Sequence, residues 1–278
     1  NSGAGRISGW RGDASWKINM EVATFKIYSR ELGAQEIRNN FIAYKSKLFN
    51  ENDGLSQFTA STSAYQIKQD YPSTTDGFYW IKNVNINGGN PVKIYADMTT
   101  DGGGWTLLMK NSSSAGWTYV NSKELNTTNP YSINDDITNR SSANYSIIGW
   151  ADYIKRSPSG FQYMIDAGTR KSFGGIWTAN SNYSFLSTSN TLTDITLSTR
   201  FGNWAYVTNN NGIAQRMPFF SETAGAGYAL LSLSSGTGNW WGTLIGRNGT
   251  SYVPAPWISD ANGGTNNPEP GIIWYWVR

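Results

Sequence analysis

Cysteine and histidine are both absent from this chain. Without cysteine there are no disulfides and no thiolate zinc sites. Without histidine there are no histidine–metal clusters, and the two absences together remove Ser–His and Cys–His nucleophile pairs. Charge is also scarce: 15% of the 278 residues are charged, and 22 basic against 19 acidic side chains leave a net charge of +3. No run of five or more Lys/Arg occurs, so the electrostatic footprint of a nucleic-acid or anionic-membrane binder is missing. No apolar run reaches the length of a membrane span, and no signal-peptide pattern opens the sequence. The glycine pairs Gly225-x-Gly227 and Gly236-x-Gly238 are followed by Leu230 and Trp241 where a dinucleotide fingerprint needs a third glycine. A paired-carboxylate glycoside hydrolase stays open, with 19 Asp/Glu available and no pair marked out by the sequence.

What is abundant is Ser, Thr, Asn and Gly, together with 13 Trp and 16 Tyr. Aromatic residues at 14% supply core material and argue against disorder. The length allows one large domain or two small ones. The most informative stretch is residues 75–108. Here Asp76-Gly77-Phe78-Tyr79-Trp80-Ile81, Val92-Lys93-Ile94-Tyr95-Ala96-Asp97-Met98 and Trp105-Thr106-Leu107-Leu108 read as three strands. One turn is Asn87-Gly88-Gly89-Asn90-Pro91. The other is Asp101-Gly102-Gly103-Gly104, where a side chain would block a tight turn or a close backbone approach.

Farther along, residues 64–70 read as a short helix stopped by Pro72, and residues 147–155 as another ahead of Pro158. Residues 161–166, 204–207, 228–233 and 272–277 read as strands. Residues 111–146 are dense in Ser, Asn and Thr. The expected fold class is α+β, with a central antiparallel sheet, short helices and long loops.

The Asp-Gly-aromatic-Tyr-Trp-Ile strand, the Lys-Ile-Tyr-x-Asp-Met-Thr-Thr-Asp-Gly-Gly-Gly-Trp-Thr block, Gly238-Asn239-Trp240-Trp241 and Gly271-Ile272-Ile273-Trp274-Tyr275-Trp276 together resemble a fibrinogen C-terminal-type domain spanning residues 63–278. The middle of that span matches weakly. The resemblance implies a disulfide between positions occupied here by Ala64 and Ala96. Such a bridge would contribute about 3–4 kcal/mol, which packing must replace. Paired alanines suit assembly in a reducing cytoplasm, and hence a phage-encoded or bacterial protein.

The first 48 residues read differently. Residues 16–28 read as strand; then Gly33, with Glu36 three positions on, opens a helix carrying Ile37, Phe41, Tyr44 and Leu48 on one face. The run from Glu21 to Phe41 resembles the closing strand and terminal helix of a laminin-G-like, concanavalin-type jelly roll. Forty-eight residues cannot close such a sandwich, so the remaining strands are expected upstream or on another chain. The expected division is residues 1–48 as this remnant, 49–62 as a Ser/Asn/Asp/Gly-rich linker and 63–278 as the fibrinogen-like domain.

By the same resemblance, a ligand pocket lies between the Trp-Trp segment and the closing strand. Tyr252, Trp257 and Trp274 would cover the apolar faces of a sugar, while Asn239, Arg247, Asn248 and Asp260 would bond its hydroxyls. The competing reading places Trp240, Trp274 and Trp276 in the core of the late sheet. A histidine found in the pocket of several relatives has no counterpart in residues 242–247. The family's calcium loop corresponds to residues 217–225, where Glu222 alone is charged, too little for a six- to eight-oxygen site. No cofactor is therefore expected and that loop does not support calcium; Asp135, Asp136 and Asp260 read as solvated turn carboxylates, with an ion held there as the alternative. Arg11-Gly12-Asp13 and the Asn-x-Ser/Thr sites at Asn126 and Asn144 follow from turn chemistry and composition.

These readings lead to a non-enzymatic adhesion module on a phage tail fibre or other virion-associated protein. Its expected partners are a surface glycan or receptor and other virion subunits, itself as a homo-oligomer, with no nucleic acid and no membrane insertion. The alternative is a structural decoration or connector protein, and the third reading is the carboxylate-pair glycoside hydrolase.

Overall fold

The computed structural model describes residues 27–48, 51–112, 137, 145–202, 215–220, 228–232, 243–248, 251–254 and 271–278. The chain forms two compact units, residues 1–51 and 52–278.

In the first unit, helix α1 spans Ala34–Leu48. Its start follows the expected half of a capping box: Glu36 Oε2 accepts the Gly33 N–H at 3.0 Å, and the Ile37 N–H closes the first turn on the Gly33 carbonyl at 3.1 Å. Glycine has no side chain to complete the other half. The Arg30 guanidinium also bonds Glu36, with Nη1 at 2.8 Å from Oε2, and holds its carboxyl down at about 2. Residues 27 and 28 are not strand in the structure; the rest of the expected strand, and the Arg-Gly-Asp tripeptide, lie outside the described residues.

The second unit is α+β. Its large sheet runs in the order β1 (Gly77–Ile81), β2 (Val92–Asp97), β3 (Trp105–Ser112), β12 (Ile272–Val277), β5 (Phe161–Ala167), β6 (Phe173–Ala179), β7 (Ile195–Phe201), with the short β4 (Tyr145–Ser146) beside β3. A smaller sheet runs β11 (Ser251–Pro254), β10 (Thr243–Asn248), β9 (Tyr228–Leu231), β8 (Phe219–Phe220). All pairings between these strands are antiparallel.

The last strand of the described chain, β12, is central, between β3 and β5. A central strand covered on both faces must be apolar throughout, which explains the unbroken Ile-Ile-Trp-Tyr-Trp-Val run, every residue of it buried. Alternation then sorts its aromatics. Ile273 and Tyr275 face the small sheet, packing with Met109 and Ile165 against Leu230, Leu244 and Ile245. Trp274 and Trp276 take the opposite face. Tyr163 stacks on Trp177 with centroids 5.4 Å apart, and Tyr275 meets Tyr163 edge-on at 6.0 Å.

Helix α2 spans Ala64–Asp70, as its pattern predicts, with Ser63 Oγ accepting the Gln66 N–H at 3.1 Å. The other short helix is a single 3-10 turn, Ile148–Trp150, continued by α3, Ala151–Ile154. The two alanines standing where the resemblance implies cysteines, Ala64 and Ala96, are both fully buried in the core.

Residues 52–62, expected as linker, belong instead to this unit. The Trp80 N–H donates to Gly54 at 2.6 Å, Ser61 N–H to Trp80 at 3.1 Å and Lys82 N–H to Ser61 at 2.7 Å. The segment thereby covers the outer edge of β1, which would otherwise expose unpaired backbone groups. Its polar composition looked like a linker because its job is backbone pairing, which leaves no hydrophobic period.

Candidate functional site

The Gly-rich turn expected between β2 and β3 is present, and it carries a buried charge network. Asp101 and Gly102, Gly103 and Gly104 all have positive φ, between 49° and 85°. At Gly103 a Cβ would sit 2.1 Å from the Met98 carbonyl oxygen, so only glycine fits. At Gly104 it would lie 3.0 Å from the Cα of Tyr65, the close approach of α2 to the sheet. Asp97 ties the turn together. Its Oδ1 accepts the Thr99 and Thr100 N–H groups at 3.0 and 2.8 Å, and its Oδ2 accepts the Thr100 hydroxyl at 2.6 Å. The Trp105 indole N–H closes on the Thr100 carbonyl at 2.8 Å.

From the β5–β6 turn, Arg170 reaches into the same place. Its Nη2 donates to Asp97 Oδ2 at 2.6 Å, its Nε bonds Asp166, and its guanidinium lies 4.5 Å from the ring centroid of Trp276. The Lys171 N–H donates to Asp166 Oδ1 at 2.5 Å. Both carboxylates are buried, Asp97 at 1% and Asp166 at 0% exposure. Burial pushes Asp97 up, but the Thr100 hydroxyl and amide and the Arg170 guanidinium outweigh it, leaving its pKa below the ordinary carboxylate range. For Asp166 burial prevails over the same guanidinium, and its pKa is raised. A second stacked arginine, Arg278, lies 4.2 Å from the centroid of Trp105 and donates to Asp101 Oδ2 at 2.7 Å.

Chemically this network braces two turns. Every oxygen of Asp97 is engaged by a protein donor, and Arg170 holds the two acids together, so the pair presents no free carboxylate to a bond between sugars. Among the described residues no group of three or more Asp/Glu side chains is placed to hold a metal ion. In the stretch compared with a calcium loop, Met217, Phe219 and Phe220 are buried in and beside β8; Glu222 lies outside the described residues.

The proposed ligand residues divide into three groups. Arg247, Asn248 and Tyr252 lie on the β10–β11 hairpin, whose register sets Arg247 opposite Tyr252 and Asn248 opposite Ser251. Asn239, Trp257 and Asp260 lie outside the described residues, as do Asp135, Asp136, Asn126 and Asn144. Trp274 is a core residue: it is 1% exposed, and its indole N–H donates to the Ile137 carbonyl at 2.9 Å. A ring so enclosed offers no face to a sugar, because the central position of β12 buries both of its sides. Asp166 and Arg170 carried no local signal. Asp97 did, as an acid two and three residues ahead of Thr99 and Thr100, the spacing of an Asx-type turn.

No family model matches the chain, and no curated protein does. Solved structures similar to it include the fibrinogen-like globe domain of human ANGPTL2, at 13% identity and a TM-score of 0.40, over 78% of this chain and 98% of that one. The fibrinogen-like globe domain of human ANGPTL6 is similar at 12% identity and a TM-score of 0.39, over 78% of this chain and 94% of that one.

Proposed function

We propose that this chain is a non-enzymatic recognition module of the fibrinogen type, carried on a phage tail fibre or another virion-associated protein, and that it adheres to a glycan on the host surface. The observation that carries the reading is the β10–β11 register, which brings Arg247, Asn248 and Tyr252 to one short hairpin. A tyrosine, an arginine and an asparagine are residue types a sugar site uses, one for the apolar C–H faces and two for the hydroxyls. The Gly-Gly-Gly-Trp block and the aromatic closing strand support the family, and the saturated Asp97 and Asp166 carboxylates speak against the hydrolase reading.

The test is a glycan array of bacterial surface polysaccharides probed with wild type, Tyr252→Ala and Trp257→Ala. Each variant is expected to weaken binding tenfold or more while its melting temperature stays unchanged. Equal binding by all three proteins would remove the site.

A structural role is the second reading, and one feature favours it. In the first unit Ile27 is 83% and Ile37 57% exposed, apolar surface of the kind that another subunit covers. A chain that binds no glycan but co-assembles with purified tail or capsid proteins would establish that role.

A further inference from the structure

Arg216 precedes β8 in a segment pinned to the loop between β6 and β7. The Met217 N–H donates to the Leu192 carbonyl at 2.9 Å and the Phe220 N–H to the Ser187 carbonyl at 2.8 Å. The segment is buried, and Arg216 with it, at 6% exposure. Arg170 and Arg278 are each met by a carboxylate and an aromatic ring. Arg216 is not: among the described residues neither its Nε nor its Nη1 has a hydrogen-bond partner, and no acid forms an ion pair with it.

A buried cation without a counter-charge is strongly unfavourable. Burial does push the Arg216 pKa down, but a guanidinium stays protonated at any physiological pH, so the charge remains and must be met. Water could fill the two donors without neutralising it. A carboxylate or sulfate supplies acceptor oxygens and the missing negative charge together, in the strong class of charge-assisted bonds.

We propose that Arg216 is an anchor for an anionic group, carboxylate or sulfate, carried by the ligand, and that the glycan bound by this module is therefore acidic. The ligand's class rests on the adhesion reading above; the anion site itself does not. Arg216 stands by β8 and Tyr252 on β11, the two edges of the four-stranded sheet. Three strand spacings, about 14 Å, separate those edges, so substitutions at the two positions should act independently.

The experiment compares wild type, Arg216→Met and Tyr252→Ala in the full chain by calorimetric titration with trigalacturonate, its carboxyl-reduced neutral counterpart and a sulfated dextran, and by thermal melting with and without inorganic sulfate. Arg216→Met is expected to weaken the acidic ligands about 10- to 100-fold, the range for a lost charge-assisted bond, and to leave the neutral sugar unchanged. Tyr252→Ala should weaken acidic and neutral sugars alike. Trigalacturonate against sulfated dextran decides between carboxylate and sulfate as the preferred anion. Without ligand, Arg216→Met should melt at or above wild type, because it removes an unpaired buried charge. Sulfate should raise the melting temperature of wild type more than that of Arg216→Met.

Equal affinity of wild type and Arg216→Met for both acidic ligands would overturn the proposal. So would a ligand-free Arg216→Met that melts far below wild type, which would place a carboxylate of the chain itself against the guanidinium. If no sugar binds, the adhesion reading fails, and an equal sulfate response in the two proteins would then remove the anion site as well.

Discussion

Arg170→Met tests whether the buried network holds the two turns together. In the folded protein Arg170 is the only described cation paired with Asp97 and Asp166, whose side chains are 1% and 0% exposed. Removing the cation leaves two enclosed carboxylates facing each other. Breaking a buried pair from one side costs about 3–5 kcal/mol, because the surviving charge stays desolvated. At roughly 2–4 °C per kcal/mol for a domain of this size, the melting temperature at pH 7 should fall by about 6–20 °C.

Acidity supplies the control. In wild type the folded pKa of Asp97 lies below its unfolded value. Its stabilisation is therefore present above the ordinary Asp pKa of about 3.9 and is lost as the pH falls through the folded value. Asp166, with a raised pKa, acts in the other direction: its favourable contribution is present in acid and is lost as the pH rises through its folded value. In Arg170→Met both carboxyls lose the cation that favours their charged forms, so protonation relieves them and the deficit should shrink between pH 7 and pH 4. Calorimetric melts at the two pH values read this directly. Adding Asp97→Asn and Asp166→Asn to Arg170→Met should restore most of the loss. A single variant melting within 2 °C of wild type at pH 7 (less than roughly 1 kcal/mol), or one whose deficit grows in acid, would refute the reasoning.

Two further outcomes concern the Gly-rich turn and metal. Gly103→Ala should cost at least about 3 kcal/mol in urea unfolding, since a positive φ of 77° and a 2.1 Å contact with Met98 combine there. Gly77→Ala, where a Cβ meets nothing within 4 Å, should stay within about 0.5 kcal/mol; equal effects at the two sites would show that the turn is not sterically closed. EDTA should leave the melting temperature unchanged, as residues 217–225 carry one carboxylate; a drop of several degrees would reveal a metal site supplied by other residues.

Much of the fold was legible wherever a residue's role is local. Helix α2 was readable from its short run ahead of Pro72, the first three strands from their β-branched and aromatic content, and the turn at residues 101–104 from its glycines. Strands β6 and β7 were not, because Phe173-Gly174-Gly175-Ile176 and the Ser/Thr-rich Ile195-Thr196-Leu197-Ser198 resemble loops until their neighbours are in place. Gly174 is required there by the Ile165 carbonyl oxygen, 2.0 Å from where a Cβ would sit.

Composition alone determined the chemistry open to this protein: with no cysteine or histidine, its polar work falls to carboxylates, amides, hydroxyls, lysines and arginines. It also supplied the material for an aromatic core, and the local pattern marked three strands separated by two Gly-rich turns. Tertiary structure decided the partners. The pairing of Asp97 with Arg170 spans 73 positions, and the seat of β12 between β3 and β5 joins stretches more than 100 residues apart. The same closure turned Trp274 from a candidate sugar platform into a core residue. Short-range pattern records what one residue needs from its neighbours in the chain, whereas burial and counter-charge depend on which distant segments arrive beside it.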